Sequence, residues 1–153
     1  MISGSQFIDL AGKLAVRPAE AEQRTAISRA YYGACHLAKA YIEGLGIEVK
    51  VTMHDLDRWL SVNDNPEVKR AGQKLSDQHS HRIRADYKID EELARHSADP
   101  VRLVQMCVES AREIESLLRE CSREEIKQQV QASIRRFLTS DPKLARSYRN
   151  SAN

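Results

Sequence analysis

The stretch RTAISRAYYGACHLAKAYI, residues 24–42, decides the fold. Stepping 100° per residue places Ile27, Ala30, Ala34, Leu37, Ala38 and Tyr41 on one face, with Leu45 continuing it. That spacing predicts a long amphipathic helix from about Pro18 to Gly44 with this face in the core. Gly44 and Gly46 end it, because a helix commonly stops where a residue turns left-handed. The same helix has a second stripe. Taking Arg29 as zero, Tyr32, Gly33 and His36 fall at about −60°, +40° and −20°. Ala26, Gly33 and Ala40 stand seven apart near that stripe, so another helix can approach closely there. On the plainest reading Arg29 and His36 are surface polar residues and Tyr32 packs at the core edge. Tyr31 points about 100° from Tyr32 and is the core member of the pair.

Upstream, Phe7, Leu10, Ala11 and Leu14 recur at helical spacing and predict a short amphipathic helix ending before Pro18. Downstream, IEVKV alternates too briefly to demand a strand; a linker and one strand of a small hairpin both fit. The run T-M-H-D at 52–55 resembles a capping box and opens a short helix carrying Leu56, Trp59 and Leu60. After the break at Asn63, Asp64, Asn65 and Pro66, a helix with Val68, Ala71 and Leu75 inward runs to about Tyr87. Asp99 and Pro100 make a cap with proline at the first helical position. The helix they open is expected to bury Val101, Val104, Val108, Ala111, Ile114 and Leu118. Ser122 and Glu125 form a second capping box, and Ile126, Val130, Ile134 and Phe137 follow at helical spacing. No segment shows a sustained β-branched alternation, so the chain reads as one all-α domain, a helix bundle.

Composition bounds the possibilities. With 153 residues there is room for one core, and 41% hydrophobic against 30% charged residues is enough to build it. Net charge is +2, but residues 1–120 hold 17 Lys plus Arg and 19 Asp plus Glu, whereas residues 121–153 hold 7 and 3. A near-neutral body therefore carries a basic tail, 139–153, whose surplus is small beside the footprint of a dedicated nucleic-acid binder. Cys35, Cys107 and Cys121 are odd in number and unpaired in spacing, which implies a reducing compartment. The first 18 residues hold no apolar run long enough for a signal core or a membrane span, so a cytoplasmic protein without membrane contact is expected. His79 and His81 lack further ligands at metal spacing, and no glycine-rich phosphate loop occurs; neither a metal nor a cofactor is expected.

Residues 24–42, with an arginine and serine followed by paired tyrosines, resemble the second-helix signature of HEPN domains. HRIRADYKID, residues 81–90, is similar to the arginine-alanine-aspartate-tyrosine stretch of an uncharacterised HEPN branch. The two motifs stand in the expected order, and with the flanking helices the likeness covers about residues 5–120. The additional C-terminal helix, about 122–138, lies outside it.

The resemblance implies an up-and-down bundle of four to five helices, commonly a homodimer. It also implies a protein that binds RNA or a nucleotide, with many members acting as metal-independent endoribonucleases in toxin-antitoxin or defence systems. The family's active site is an arginine and a histidine four to six residues apart. Arg84 matches the arginine and Tyr87 resembles the tyrosine that follows, but the next histidine is His96, beyond the acidic run at 90–92. Arg29 and His36 have the family's spacing on a different helix. Imidazole suits acid–base work at neutral pH, and a guanidinium suits a phosphorane.

The candidate catalytic residues are thus Arg84, His36 and Arg29, and the candidate binding residues are Tyr32, Asp86, Tyr87 and His81. His79 is a further candidate base. The absent histidine favours an alternative, a noncatalytic interaction module partnering a nucleotidyltransferase, an antitoxin or another protein.

Overall fold

A computed structural model describes residues 1–50 and 52–143. Among them there is no strand, and six α-helices pack into one bundle: α1 (Gly4–Ala15), α2 (Glu20–Gly44), α3 (Leu56–Ser61), α4 (Pro66–Tyr87), α5 (Pro100–Glu120) and α6 (Glu124–Ser140). Helices α1 to α5 are the expected four to five of the core, and α6 is the expected additional C-terminal helix. Short 3-10 turns at Met53–Asp55 and Leu93–Arg95 precede α3 and α5. Residues 47–50 are irregular, which answers the linker-or-strand question for the described part of IEVKV. Most of the basic tail, residues 144–153, and Val51 lie outside the described residues. Among those described, no helix is long and apolar enough to cross a membrane.

Local chemistry explains where the helices begin and end. Ser3 and Gln6 form a reciprocal capping box on α1, and Asn65 Oδ1 accepts from the amides of Glu67 and Val68, both at 3.0 Å, to open α4. Asp99 caps α5 as expected, accepting from Arg102 N at 2.9 Å. Gly46, at φ +75°, supplies the left-handed turn after α2.

Two expected capping boxes are not formed. The Thr52 hydroxyl donates to the Asp55 carboxylate at 2.8 Å instead of capping an amide. Ser122 Oγ turns back to Leu118 O at 2.8 Å, so α6 starts at Glu124 without a side-chain cap. In both cases the short side chain found a nearer partner than the amide three residues on.

Helix α2 lies at the centre and packs against α1, α4 and α5. Its expected inner face is buried, including Ile27, Ala30, Ala34, Ala38, Tyr41 and Leu45; only Leu37 stays half-buried at the edge. The Tyr41 hydroxyl reaches across to Cys121 O at 3.1 Å, tying α2 to the end of α5.

Two expected core positions are corrected: Leu10 and Val101 are exposed. In α1 the buried line is Ile8, Ala11 and Ala15, one residue round from the expected one, and in α5 the core begins at Val104. Helix α6 is held at the α3–α4 junction. Asn63 Nδ2 donates to Val130 O at 3.3 Å, Asp64 N donates to Ser133 Oγ at 3.0 Å, and Arg136 pairs with Asp64.

The close approach anticipated at Gly33 is real, and the neighbour is α1 of the same chain. A Cβ on Gly33 would stand 2.7 Å from both Gly4 O and Ile8 Cγ1, and a Cβ on Gly4 would stand 2.6 Å from Gly33 O. Ala26 is buried, whereas Ala40 is exposed and takes no part. The small-residue spacing is thus spent inside the protomer.

Candidate functional site

The polar centre of the molecule is the side chain of Arg82 on α4, which is only 8% exposed. One of its terminal nitrogens donates to the Tyr32 hydroxyl at 2.6 Å and to the Tyr87 hydroxyl at 3.2 Å. Its Nε lies 2.8 Å from Asp86 Oδ2 as an ion pair, without hydrogen-bond alignment. Ser28 Oγ donates to the same carboxylate oxygen at 3.1 Å. The guanidinium also lies 5.2 Å from the ring centre of Tyr32 and 4.9 Å from that of Tyr87. Burial opposes its charge, but Tyr32, Tyr87 and Asp86 outweigh that and hold its pKa above the ordinary arginine value.

The end of α4 is fixed by a second arginine. Arg24 on α2 donates to the carbonyls of Ala85 at 2.9 Å and Lys88 at 3.2 Å, and to Glu91 O, while pairing with Glu20 at 2.7 Å. A cation on the last carbonyls of a helix satisfies acceptors that the helix leaves open. Glu20 in turn accepts from Leu93 N at 3.2 Å. The Arg24 guanidinium beside Glu20 holds that carboxyl below the usual range. Tyr87 therefore projects from an anchored helix end, and the residue is 64% exposed.

Around this centre, rings and guanidinium groups touch in series. His36 stacks on Phe7 with centroids 5.7 Å apart and planes 12° apart. Arg29 lies 5.5 Å from the Phe7 ring centre and 5.8 Å from that of Tyr32, which leads to Arg82 and Tyr87. A branch runs through Tyr31, whose hydroxyl bonds His54 Nδ1 at 2.9 Å. His54 and His79 stack at 4.8 Å, and His79 stacks on Tyr31 at 5.4 Å. Desolvation, then the nearby His54, lower the pKa of His79, so its imidazole stays neutral. Burial pushes the Tyr31 phenol up and raises the Cys35 thiol behind it to about 12, which leaves neither available as an anion.

The residues singled out in the sequence divide among three places. Tyr32, Asp86 and Tyr87 meet around Arg82, with Arg29 and His36 joined to them through Phe7 and Tyr32. Arg84 is exposed on the outer side of α4, and no described contact joins it to Arg29 or His36. Its charge is felt at His81, whose pKa is lowered first by burial and then by Arg84. His81 itself lines a different groove, between α4 and α5. His96 lies 3.5 Å from Glu91 in the connection after α4, apart from the cluster.

The sequence reading missed Arg82, Ser28, His54 and Phe7. A signal for Arg82 existed: the helical step places it about 40° from Val68, near the middle of the buried face of α4, where a charge is unusual. Among the described residues no three His, Cys, Asp or Glu side chains are grouped to hold a metal ion. Comparison with protein-family models, with curated proteins and with solved structures returns no match.

The arrangement offers planar surfaces for stacking at His36 and Tyr87, a guanidinium at Arg29, and a neutral imidazole at His79 beside a second imidazole at His54. These groups can hold an unpaired base and a phosphate, and can accept and return a proton. Arg82 is committed to protein oxygens and serves to position the two tyrosines.

Proposed function

We propose that this domain binds single-stranded RNA or a nucleotide along the face formed by His36, Arg29, Tyr32 and Tyr87, with the His54–His79 pair at its side. The observation that carries the reading is the series of touching rings and guanidinium groups that ends in exposed rings at His36 and Tyr87. Stacking of a base on an aromatic side chain contributes about 1–3 kcal/mol and tolerates any base. The resemblance of residues 24–42 and 81–90 to HEPN domains supports the same ligand class, a homodimer, and a setting in toxin-antitoxin or defence systems.

Cleavage without metal would use a histidine as base; a neutral imidazole, which His79 provides, is the required form. Arg84, which matches the family's arginine, and His36, which has the family's spacing from Arg29, have no described contact with each other.

The test is fluorescence anisotropy with a labelled unpaired RNA in chelator, alongside gel analysis of the RNA after incubation. Tyr87→Ala and Arg29→Ala are expected to weaken binding about tenfold each. Unchanged affinity in both variants would remove the stacking face as the binding site. If RNA is cut, His79→Ala and His36→Ala distinguish the imidazole at work.

One observation favours a second reading, a protein-interaction module paired with a nucleotidyltransferase or another protein. Ile83, Tyr87 and Ile89 are exposed together around the end of α4, while the one buried arginine among the described residues, Arg82, is held by Tyr32, Tyr87 and Asp86. Purification of a stoichiometric protein partner with no RNA would favour that reading.

A further inference from the structure

Helices α4 and α5 enclose a groove of about 310 Å³ that plays no part in the stacking face. From α4 it is lined by Lys74, Asp77, Gln78 and His81, and from α5 by residues that include Arg102 and Met106, with Glu109 and Glu113 beyond them. Spacings of three and four along both helices put these side chains on facing sides.

The floor of the groove has an unmet need. Gln78 is 2% exposed, and its Nε2 donates to Cys107 O at 3.0 Å. That bond fixes which way round the amide sits, since the reverse orientation would set two oxygens against each other. Oε1 is left buried without a donor. A buried acceptor without a donor is destabilising, so a group that supplies one gains by entering.

The charges of the lining indicate what the group is. Lys74 pairs with Glu113 at 2.8 Å, and Glu113 also takes Arg70 from outside the groove at 2.5 Å. Arg102 pairs with Glu109 at 3.9 Å. Asp77 is the one carboxylate of the lining without an ion pair among the described residues. His81 is held toward its neutral form by burial and by Arg84, so its imidazole contributes one donor and one acceptor and is disfavoured as a competing cation. The groove therefore offers a buried acceptor without a donor, Gln78 Oε1, and a carboxylate without an ion pair among the described residues, Asp77, with the half-exposed thioether chain of Met106 as its apolar wall.

We propose that the groove between α4 and α5 is a binding site for a monocationic N–H donor, an ammonium or guanidinium group on a short apolar stem. The cation sits against Asp77, one N–H reaches Gln78 Oε1, and the stem lies along Met106. Oε1 is covered by the lining, so reaching it takes a rotamer change of a lining side chain, for which the flexible Met106 is suited. Such a cation occurs as a free small amine and as an arginine or lysine side chain of a protein partner. The inference does not depend on RNA binding at the other face of α4.

The test is a titration of the full chain with n-butylguanidinium, followed by NMR of the Met106 methyl group and the Gln78 side-chain amide, with uncharged n-butylurea as the control. Saturable shifts of both signals are expected from the guanidinium and not from the urea. Asp77→Asn, at an exposed position, should weaken binding about threefold to fivefold. Gln78→Met should weaken it about tenfold, read only if the amide spectrum shows the variant folded.

Signals that do not move, equal shifts from urea and guanidinium, or unchanged affinity in Asp77→Asn would each overturn the proposal. A short arginine-containing peptide separates the sources. Binding about tenfold tighter than the free guanidinium points to a side chain of a partner, and equal binding points to a free small cation.

Discussion

Replacing Gly33 by alanine tests where the close approach of α2 is used. The added Cβ would meet Gly4 O and Ile8 Cγ1 at 2.7 Å, so restoring an ordinary 3.4 Å contact requires α1 and α2 to part by roughly 0.7 Å. Alanine gains about 1 kcal/mol of helix propensity over glycine at an interior position. Overpacking against a backbone carbonyl costs up to about 3 kcal/mol, because the carbonyl cannot rotate away as a side chain can. The expected net loss is about 2 kcal/mol, or about 4–8 °C in the melting midpoint for a chain of this size. Thermal unfolding followed by circular dichroism measures it, with light scattering giving the mass of each sample. Gly4→Ala probes the same contact from the other side, so the double variant should lose less than the sum of the two. An unchanged midpoint would refute the packing argument. An unchanged midpoint together with a lower mass would place Gly33 in a contact between copies.

Other outcomes follow from the same geometry. Tyr32→Phe removes the acceptor 2.6 Å from Arg82 and should cost about 1–2 kcal/mol in urea unfolding, since a charged donor then loses one of its two phenol partners; a loss below about 0.3 kcal/mol would mean water replaces it freely. His79 and His81 both have folded pKa values below 6.5, so the unfolded chain binds protons first as the pH falls. Stability is then fully present above about pH 6.5 and declines below it, and the decline between pH 7.5 and 5.5 should shrink in a His79→Gln, His81→Gln double variant. Equal declines in both proteins would contradict the assignment. Burial raises the thiols of Cys35 and Cys107 to about 12 and of Cys121 to about 11, so a thiol-specific dye should react slowly with the native protein and with three thiols in urea.

The helical periodicity of residues 24–42 was enough to place the central helix and its buried face, because a run of apolar residues on one stripe has no other use in a single-layer core. The ends of that argument were weaker. In α1 the phases of Phe7, Leu10 and Leu14 and of Ile8, Ala11 and Ala15 differ by one residue, and small alanines were outweighed on hydrophobicity by leucines that lie at the margin. The choice was made by helix separation: the close contact at Gly33 sets Gly4 and Ile8 of α1 against α2, and this phase carries Ala11 and Ala15 inward with them.

The site was legible in half. Tyr32, Asp86 and Tyr87 could be named from motifs and do converge, but the residue that gathers them is Arg82, two positions before the expected arginine. His54 comes from a turn whose position no periodicity fixes, so its bond to Tyr31 could not be read from spacing.

The two arginines near the end of α4 illustrate why position on a helix outranks identity in a motif. Stepping 100° per residue from Val68 places Arg82 near the middle of the buried face of α4 and Arg84 about 160° from it. An arginine turned inward must find acceptors for its five donors, and Arg82 finds two phenols and a carboxylate. Once satisfied in this way it can no longer meet a phosphate without breaking bonds to charged or phenolic oxygens, each worth about 1.5–3 kcal/mol. What it can do is hold Tyr32 and Tyr87 in fixed orientation, which lowers the entropy a stacked ligand would otherwise have to remove from them. On the proposed function, ligand contact falls to the outer groups, Tyr87 itself, Arg29 and His36, while Arg84 is exposed on the far side. Arg82→Lys should therefore weaken a ligand stacked on Tyr87 although the charge is kept, because an ammonium cannot bridge two phenols and a carboxylate in one plane. Arg84→Ala should leave that affinity within about twofold, as an exposed charge remote from the site contributes little. If the order of effects were reversed, with Arg84 essential and Arg82 dispensable, the motif would outrank the geometry.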